Sequence, residues 1–456
     1  MSDETMRMRS LRHRRRLRPG TGTILLLLIV VAIVPVTVVQ VVGVPVPFTV
    51  AVAAGYAVQT GIVVFVALRW RIQPRDPWIW IALVYGILQL ATLLSVGFRY
   101  GTYDLMYLIG AVAGTVGIVV YAGMVQAMRP DEADPRKFLA GFLWLTLAAI
   151  VVNLVLHAQD IPQLMSASSS YQFELSSVFA NRNQFGYFLF LSIVAHALYL
   201  AGRRPRLHNV GLFGLQIVSL LLTMSRGSIA ATIIFAVVFA LLQLRMRTRY
   251  FMITVMAAAI AAMIMVFTDI GGTVRDLILR PSAALAGRDV VWGIGLDIWK
   301  EHGILLGSGG FRGVALAQEH GMQFTEFHSF LIETLVSGGL AELLFLLAVL
   351  ALVWTRVAKS SLDSRRRHVL FASAAGVAGL SCVESVSLFT IGLVGTIFTI
   401  FFISLPLLCA ELPPSAGSNR RPPSDGSNRR PPSDGSNHCP PPAGSNHRPR
   451  PMKEYR

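Results

Sequence analysis

The chain has 456 residues, 54% of them hydrophobic and only 14% charged, whereas soluble domains run at about 45–50% apolar and about 25% charged; the balance is that of a membrane protein. The net charge of +16 sits in short segments between apolar runs, which argues against a nucleic-acid binder. Cys382, Cys409 and Cys439 form no CxxC pair, which excludes a disulfide framework and a cysteine zinc site.

The first twenty residues carry seven Arg ahead of an apolar run with no small-residue cleavage site, so residues 1–20 read as a basic cytoplasmic N-terminus on an uncleaved helix. A membrane-spanning helix needs about 20 apolar residues. Segments of that kind occur at 21–43, 47–68, 78–98, 104–127, 137–157, 183–201, 208–224, 227–244, 250–268, 329–355, 368–384 and 388–409. The expected fold is an all-α polytopic membrane protein with about twelve transmembrane helices over residues 21–410. With the N-terminus inside, the short cytoplasmic segments hold 24 Lys and Arg and the opposite side holds eight, which fits the positive-inside rule and places both termini in the cytoplasm.

Two outside loops are long, 158–182 and 269–328, the second lying between helices 9 and 10. Within it "RDVVWGIGLDIWK" puts Val291, Ile294 and Ile298 on one stripe. This predicts a short helix lying on the membrane, with Trp292 and Trp299 as interface anchors and Asp289 as N-cap. Residues 411–456 repeat "GSNRRPPSD" from Gly417, Gly426 and Gly435, with a decayed copy at Gly444. The composition cannot bury a core, so a disordered cytoplasmic tail is expected.

Neither GxxxxGK[ST] nor HExxH occurs, which excludes a phosphate-loop pump and a zincin. Three outward residues carry chemistry. Arg226, in "LLTMSRGSIAAT", stands between two tightly connected spans; the plain alternative is a snorkelling turn residue. Arg288 stands at a helix start, where backbone N–H groups favour an anion; the alternative is an ion pair with a loop carboxylate. His328 opens the tenth span, where a structural His is the alternative, and Glu333 follows it on a different face. Residues 269–328 hold five basic and seven acidic residues, so an anion site there requires placed arginines and not a general field.

Four segments, taken together and in order, resemble the bacterial O-antigen ligase and polymerase family: "FANRNQFGYFL" at 179–189, "SRGS" at 225–228, "GRDVVW" with "LLGSGGF" within 287–311, and "HSFLIETLVSGGLAEL" at 328–343. Ser329 stands where the family usually has Asn, which leaves the orientation of His328 open. The resemblance implies that Arg226 and Arg288 bind the pyrophosphate of a lipid-linked donor and that His328 acts near the acceptor hydroxyl. Asn181, Asn183, Trp292, Ser329 and Glu333 would support them.

The function expected is a membrane glycan transferase, ligase-like, that moves a glycan from a polyprenyl-pyrophosphate donor to an acceptor hydroxyl. It would act on the outer face of the cytoplasmic membrane, among membrane lipids, with no metal and no cofactor. The acceptor would be a glycan, lipid or protein. A polymerase of the same family and a transporter of lipid-linked glycans are the alternatives.

Overall fold

The computed structural model describes residues 20–40, 48–69, 76–101, 103, 105–127, 133–160, 175–201, 203, 206–243, 288–322, 326–390 and 392–411. Every regular element among them is helical. They are α1 (Thr21–Gln40), α2 (Phe48–Arg69), α3 (Pro77–Tyr100), α4 (Leu105–Ile118, a π turn Val119–Gly123 and Met124–Ala127) and α5 (Ala133–Leu156). Then come α6 (Arg182–Leu200), α7 (Leu207–Leu222), α8 (Arg226–Gln243), α9 (Arg288–His302) and α10 (Gly310–Glu319). The last are α11 (Phe330–Lys359), α12 (Ser364–Val383) and α13 (Leu393–Thr399, a π turn Ile400–Ser404 and Leu405–Ala410).

Among the described residues seven helices are long and apolar enough to cross a membrane: α3, α4, α5, α6, α8, α11 and α13. The described part of the chain is therefore all-α, with the helices of a multi-pass membrane protein. Each predicted span coincides with a described helix except 250–268, which lies outside the described residues. So do residues 1–19, most of the loop at 158–182, residues 269–287 and the repeat tail from residue 412.

Local signals set the helix ends. Asp76 caps α3 by accepting from the Trp78 N–H at 2.9 Å with Pro77 in the first turn, and Gly101 closes it at φ 68. The centre of the bundle is aromatic. Phe142 of α5 packs on Phe188 of α6 at 4.8 Å and on Phe401 of α13 at 5.0 Å between ring centroids, and Phe179 lies 5.0 Å from Phe188. A helix apolar on every face belongs inside, and α6 is buried continuously from Phe185 to His196.

The helix at the tenth predicted span is not continuous. α11 is broken at Gly339, whose φ of 70 and ψ of −166 are open only to glycine. An unbroken helix would bond the N–H of Leu340 to Val336 O and that of Ala341 to Ser337 O. Instead the segment 304–309 supplies both partners. Leu340 N–H donates to Ile304 O at 2.9 Å and Ala341 N–H to Leu305 O at 3.0 Å, while Ser308 N–H donates to Val336 O at 2.8 Å and Gly309 N–H to Ser337 O at 2.9 Å. These four backbone groups are thus satisfied in spite of the break, as burial requires. Glu342, just past the break, accepts from Tyr85 Oη at 3.1 Å and Gln89 Nε2 at 2.8 Å of α3, and from Ser337 Oγ at 3.3 Å. Gly339→Ala is expected to lower stability by about 3 kcal/mol or more, since a Cβ there would lie 2.4 Å from Leu305 O in a conformation alanine avoids. A thermal midpoint of the detergent-solubilised variant close to wild type would contradict this.

Candidate active site

The first predicted segment, at the start of α6, is built by capping. Asn181 stands as N-cap and accepts from Gln184 N–H at 3.0 Å, while the Gln184 side chain accepts from Ala180 N–H at 3.4 Å. The Asn181 side chain is thus committed to the helix, and Asn183 is half-buried in the first turn. One turn on, Gly186 lets the second segment approach: a Cβ there would lie 2.6 Å from Ser225 Cβ and 2.7 Å from Ser228 Oγ.

That second segment is a tight turn between α7 and α8. Met224 takes φ 54, Thr223 Oγ1 accepts from Ser225 N–H at 3.2 Å, and Ser225 and Ser228 share a hydroxyl contact at 3.0 Å. The turn delivers Arg226, half-buried, as the first residue of α8.

The third segment forms α9, and here the structure corrects two expectations. The apolar stripe of Val291, Ile294 and Ile298 packs on Leu316, Ala317, Phe327 and Val336 and not on lipid, because α10 and α11 offer it a protein surface. Asp289 lies in the first turn of α9, which begins at Arg288, so it is not the cap; its charge still suits the helix N-terminus. The indole of Trp299 donates to Ile304 O at 2.9 Å, and that of Trp292 to Phe327 O at 3.0 Å. Trp292 is therefore a strut against the residue preceding His328.

The fourth segment begins with strain. His328 takes φ 50, a left-handed conformation that costs a non-glycine residue energy and that persists where its surroundings hold it. It is held from both sides: Trp292 grips Phe327 O before it, and Phe330 N–H donates to Glu384 O at 3.2 Å after it. The His328 ring is half-buried, and Ser329 is buried at the N-cap of α11 without a side-chain capping bond. Glu333 lies half-buried in the first turn of α11, with its N–H bonded to Ser329 O at 2.9 Å.

Arg288 answers to a partner the sequence reading missed. Its Nη1 donates to Val383 O at 2.7 Å and its Nη2 to Glu384 Oε1 at 2.9 Å. The pair is a real ion pair, though its carboxylate comes from the end of α12 and not from the loop. Glu384 is 3% exposed and its second oxygen accepts from Tyr187 Oη of α6 at 2.7 Å. A Cβ at Gly227, beside Arg226, would lie 3.1 Å from Glu384 Cγ. Glu384 thus bonds to three of the predicted segments, through Tyr187 in the first, Arg288 in the third and Phe330 in the fourth, and leaves no room for a Cβ at Gly227 in the second. The signal was present, since Glu384 is the only Asp, Glu, Lys or Arg between Arg367 and Glu411. Among the described residues no three His, Cys, Asp or Glu side chains gather as a metal set would.

A family model described as O-antigen ligase matches residues 211–347. The match runs from α7 into α11, so it includes Arg226, Arg288, Trp292, His328, Ser329 and Glu333 and leaves out Asn181, Asn183, Tyr187 and Glu384. No curated protein matches the chain.

Proposed function

We propose that the chain, whose residues 211–347 match an O-antigen ligase family model and whose described helices suit a multi-pass membrane protein, transfers a glycan from a polyprenyl-pyrophosphate carrier to an acceptor hydroxyl, as a ligase. The reading places the site on the outer face of the cytoplasmic membrane, with both termini inside and twelve crossings. The observation that supports it most is the joining of Arg288, the Arg226 turn and the His328 entry through Glu384.

In this reading the acceptor oxygen attacks the anomeric carbon, the bond from that carbon to the pyrophosphate oxygen breaks, and His328 takes the acceptor proton. The electron pair leaves with the pyrophosphate. Arg226 and Arg288 hold that growing charge by planar, multi-point hydrogen bonds, so no divalent metal is required.

The broken α11, with Glu342 beside the break, is the feature that favours a transporter, since transporters bind cargo at interrupted helices. Here the break is filled by the backbone of 304–309, and Tyr85, Gln89 and Ser337 contact both Glu342 oxygens. The transferase is therefore preferred. Purified protein in liposomes, given a labelled polyprenyl-pyrophosphate glycan and a cell-envelope extract as acceptor source, is expected to release polyprenyl pyrophosphate in EDTA as fast as without it. Arrest by EDTA with recovery on one added metal would overturn metal independence. Movement of label across the bilayer with no transfer would support the transporter.

A further inference from the structure

Glu384 poses a difficulty, because a buried carboxylate beside an arginine that binds an anion repels that anion. Its geometry resolves the difficulty. A guanidinium has five N–H donors in a fixed plane. Val383 O and Glu384 Oε1 take one donor from each terminal nitrogen of Arg288, at 2.7 and 2.9 Å. Two contacts from adjoining residues at one helix end fix both the position and the plane of the group. The Arg288 side chain remains 22% exposed while that of Glu384 is 4% exposed, so a ligand would meet the pair from the arginine's side, and the two contacts use only two of the five guanidinium donors. Glu384 is itself held by Tyr187 Oη on its second oxygen, and the space beside it is small, since a Cβ added at Gly227 would lie 3.1 Å from its Cγ.

We propose that Glu384 is a positioning residue for the transfer: it holds the Arg288 guanidinium in the one orientation that presents a free edge to the donor's pyrophosphate. The proposal rests on the reading that Arg288 grips that pyrophosphate. An arginine fixed in advance has no rotamers to lose when the donor arrives, and its donors already point where charge develops. The cost of an opposing charge is accepted for that preorganisation.

The test varies a labelled polyprenyl-pyrophosphate glycan at fixed acceptor in membranes carrying each variant at equal protein level. Glu384→Ala is expected to lower kcat/KM for the donor by roughly 10²-fold, the scale of a misplaced reacting group. Glu384→Gln, whose amide oxygen can still accept from Arg288, is expected to fall between Ala and wild type. Tyr187→Phe, which only unlocks the second oxygen, is expected to be milder still. In an Arg288→Lys background Glu384→Gln should add almost nothing, whereas a merely structural role would subtract the same factor from either background. Full activity of Arg288→Lys would overturn the pyrophosphate reading itself. Impaired Arg288→Lys with a normal donor kcat/KM in Glu384→Ala would overturn only the positioning role. A lowered donor KM in Glu384→Gln would also overturn it, by showing a competing counter-ion in place of an aligner.

Discussion

His328→Ala is expected to reduce glycan transfer by roughly 10²–10⁴-fold, the range of general acid–base contributions, while leaving the lipid-linked donor bound. The expectation follows from where the backbone puts the residue. His328 stands at φ 50 between two tethers, Trp292 on Phe327 O and Phe330 N–H on Glu384 O. Alanine can occupy the same turn at a comparable backbone cost, so the loss reports the ring and not the fold. Donor binding is retained because the arginines, and not the imidazole, are assigned to the pyrophosphate. His320→Ala is the matched control: its Nδ1 lies 2.8 Å from Leu316 O at the end of α10, a local contact only. Near-normal transfer by His328→Ala at wild-type membrane levels would remove His328 from the mechanism. Equal loss in both His variants would indicate a structural cap.

Arg288→Lys is expected to cost roughly 10²-fold or more in transfer, comparable to the loss of a preorganised donor to a developing anion. The charge is kept, so a purely electrostatic role would survive the change. What lysine cannot do is reach Val383 O, Glu384 Oε1 and phosphate oxygens at once from a single nitrogen. Arg226→Lys is expected to fall in the same way, because the turn at 223–225 delivers that side chain to the start of α8. The measurement is initial transfer rate against donor concentration, with the thermal midpoint recorded alongside. Should either Lys variant transfer at the wild-type rate, the planar grip is wrong for that residue.

The long apolar helices were legible because each is a long run with few charges, and the bilayer demands nothing subtler of a sequence. The helix at 288–302 was legible as well, since Val291, Ile294 and Ile298 recur at helical spacing. What periodicity does not say is what an apolar stripe faces, so a stripe buried on Phe327 and Val336 reads the same as one resting on lipid. The break in α11 was hidden because "GG" inside an apolar run also fits an uninterrupted helix. Only the arrival of 304–309 reveals that Gly339 is used for its backbone freedom. Arg288, Arg226 and His328 could be selected as charged groups at the outer edge. Glu384 stands out as the lone charge of its apolar run, but its pairing with Arg288 was not legible, because the two are 96 positions apart and no local spacing connects them.

The stitching of 304–309 into α11 bears on how the protein is made. The four exchanged bonds join strands of backbone some thirty residues apart, and the N-terminal partner emerges from the ribosome first. Until both are present on one side of the bilayer, α11 can close its own bonds from Leu340 to Val336 and from Ala341 to Ser337 and enter the membrane as a straight rod. Entering already broken would strip two N–H and two C=O groups bare in hydrocarbon, at several kcal/mol each. The break in α11 and the docking of 304–309 therefore depend on each other, since each supplies the hydrogen-bond partners that the other leaves open. A substitution that keeps 304–309 from docking thus acts on α11 as well, at a distance from the residues it changes.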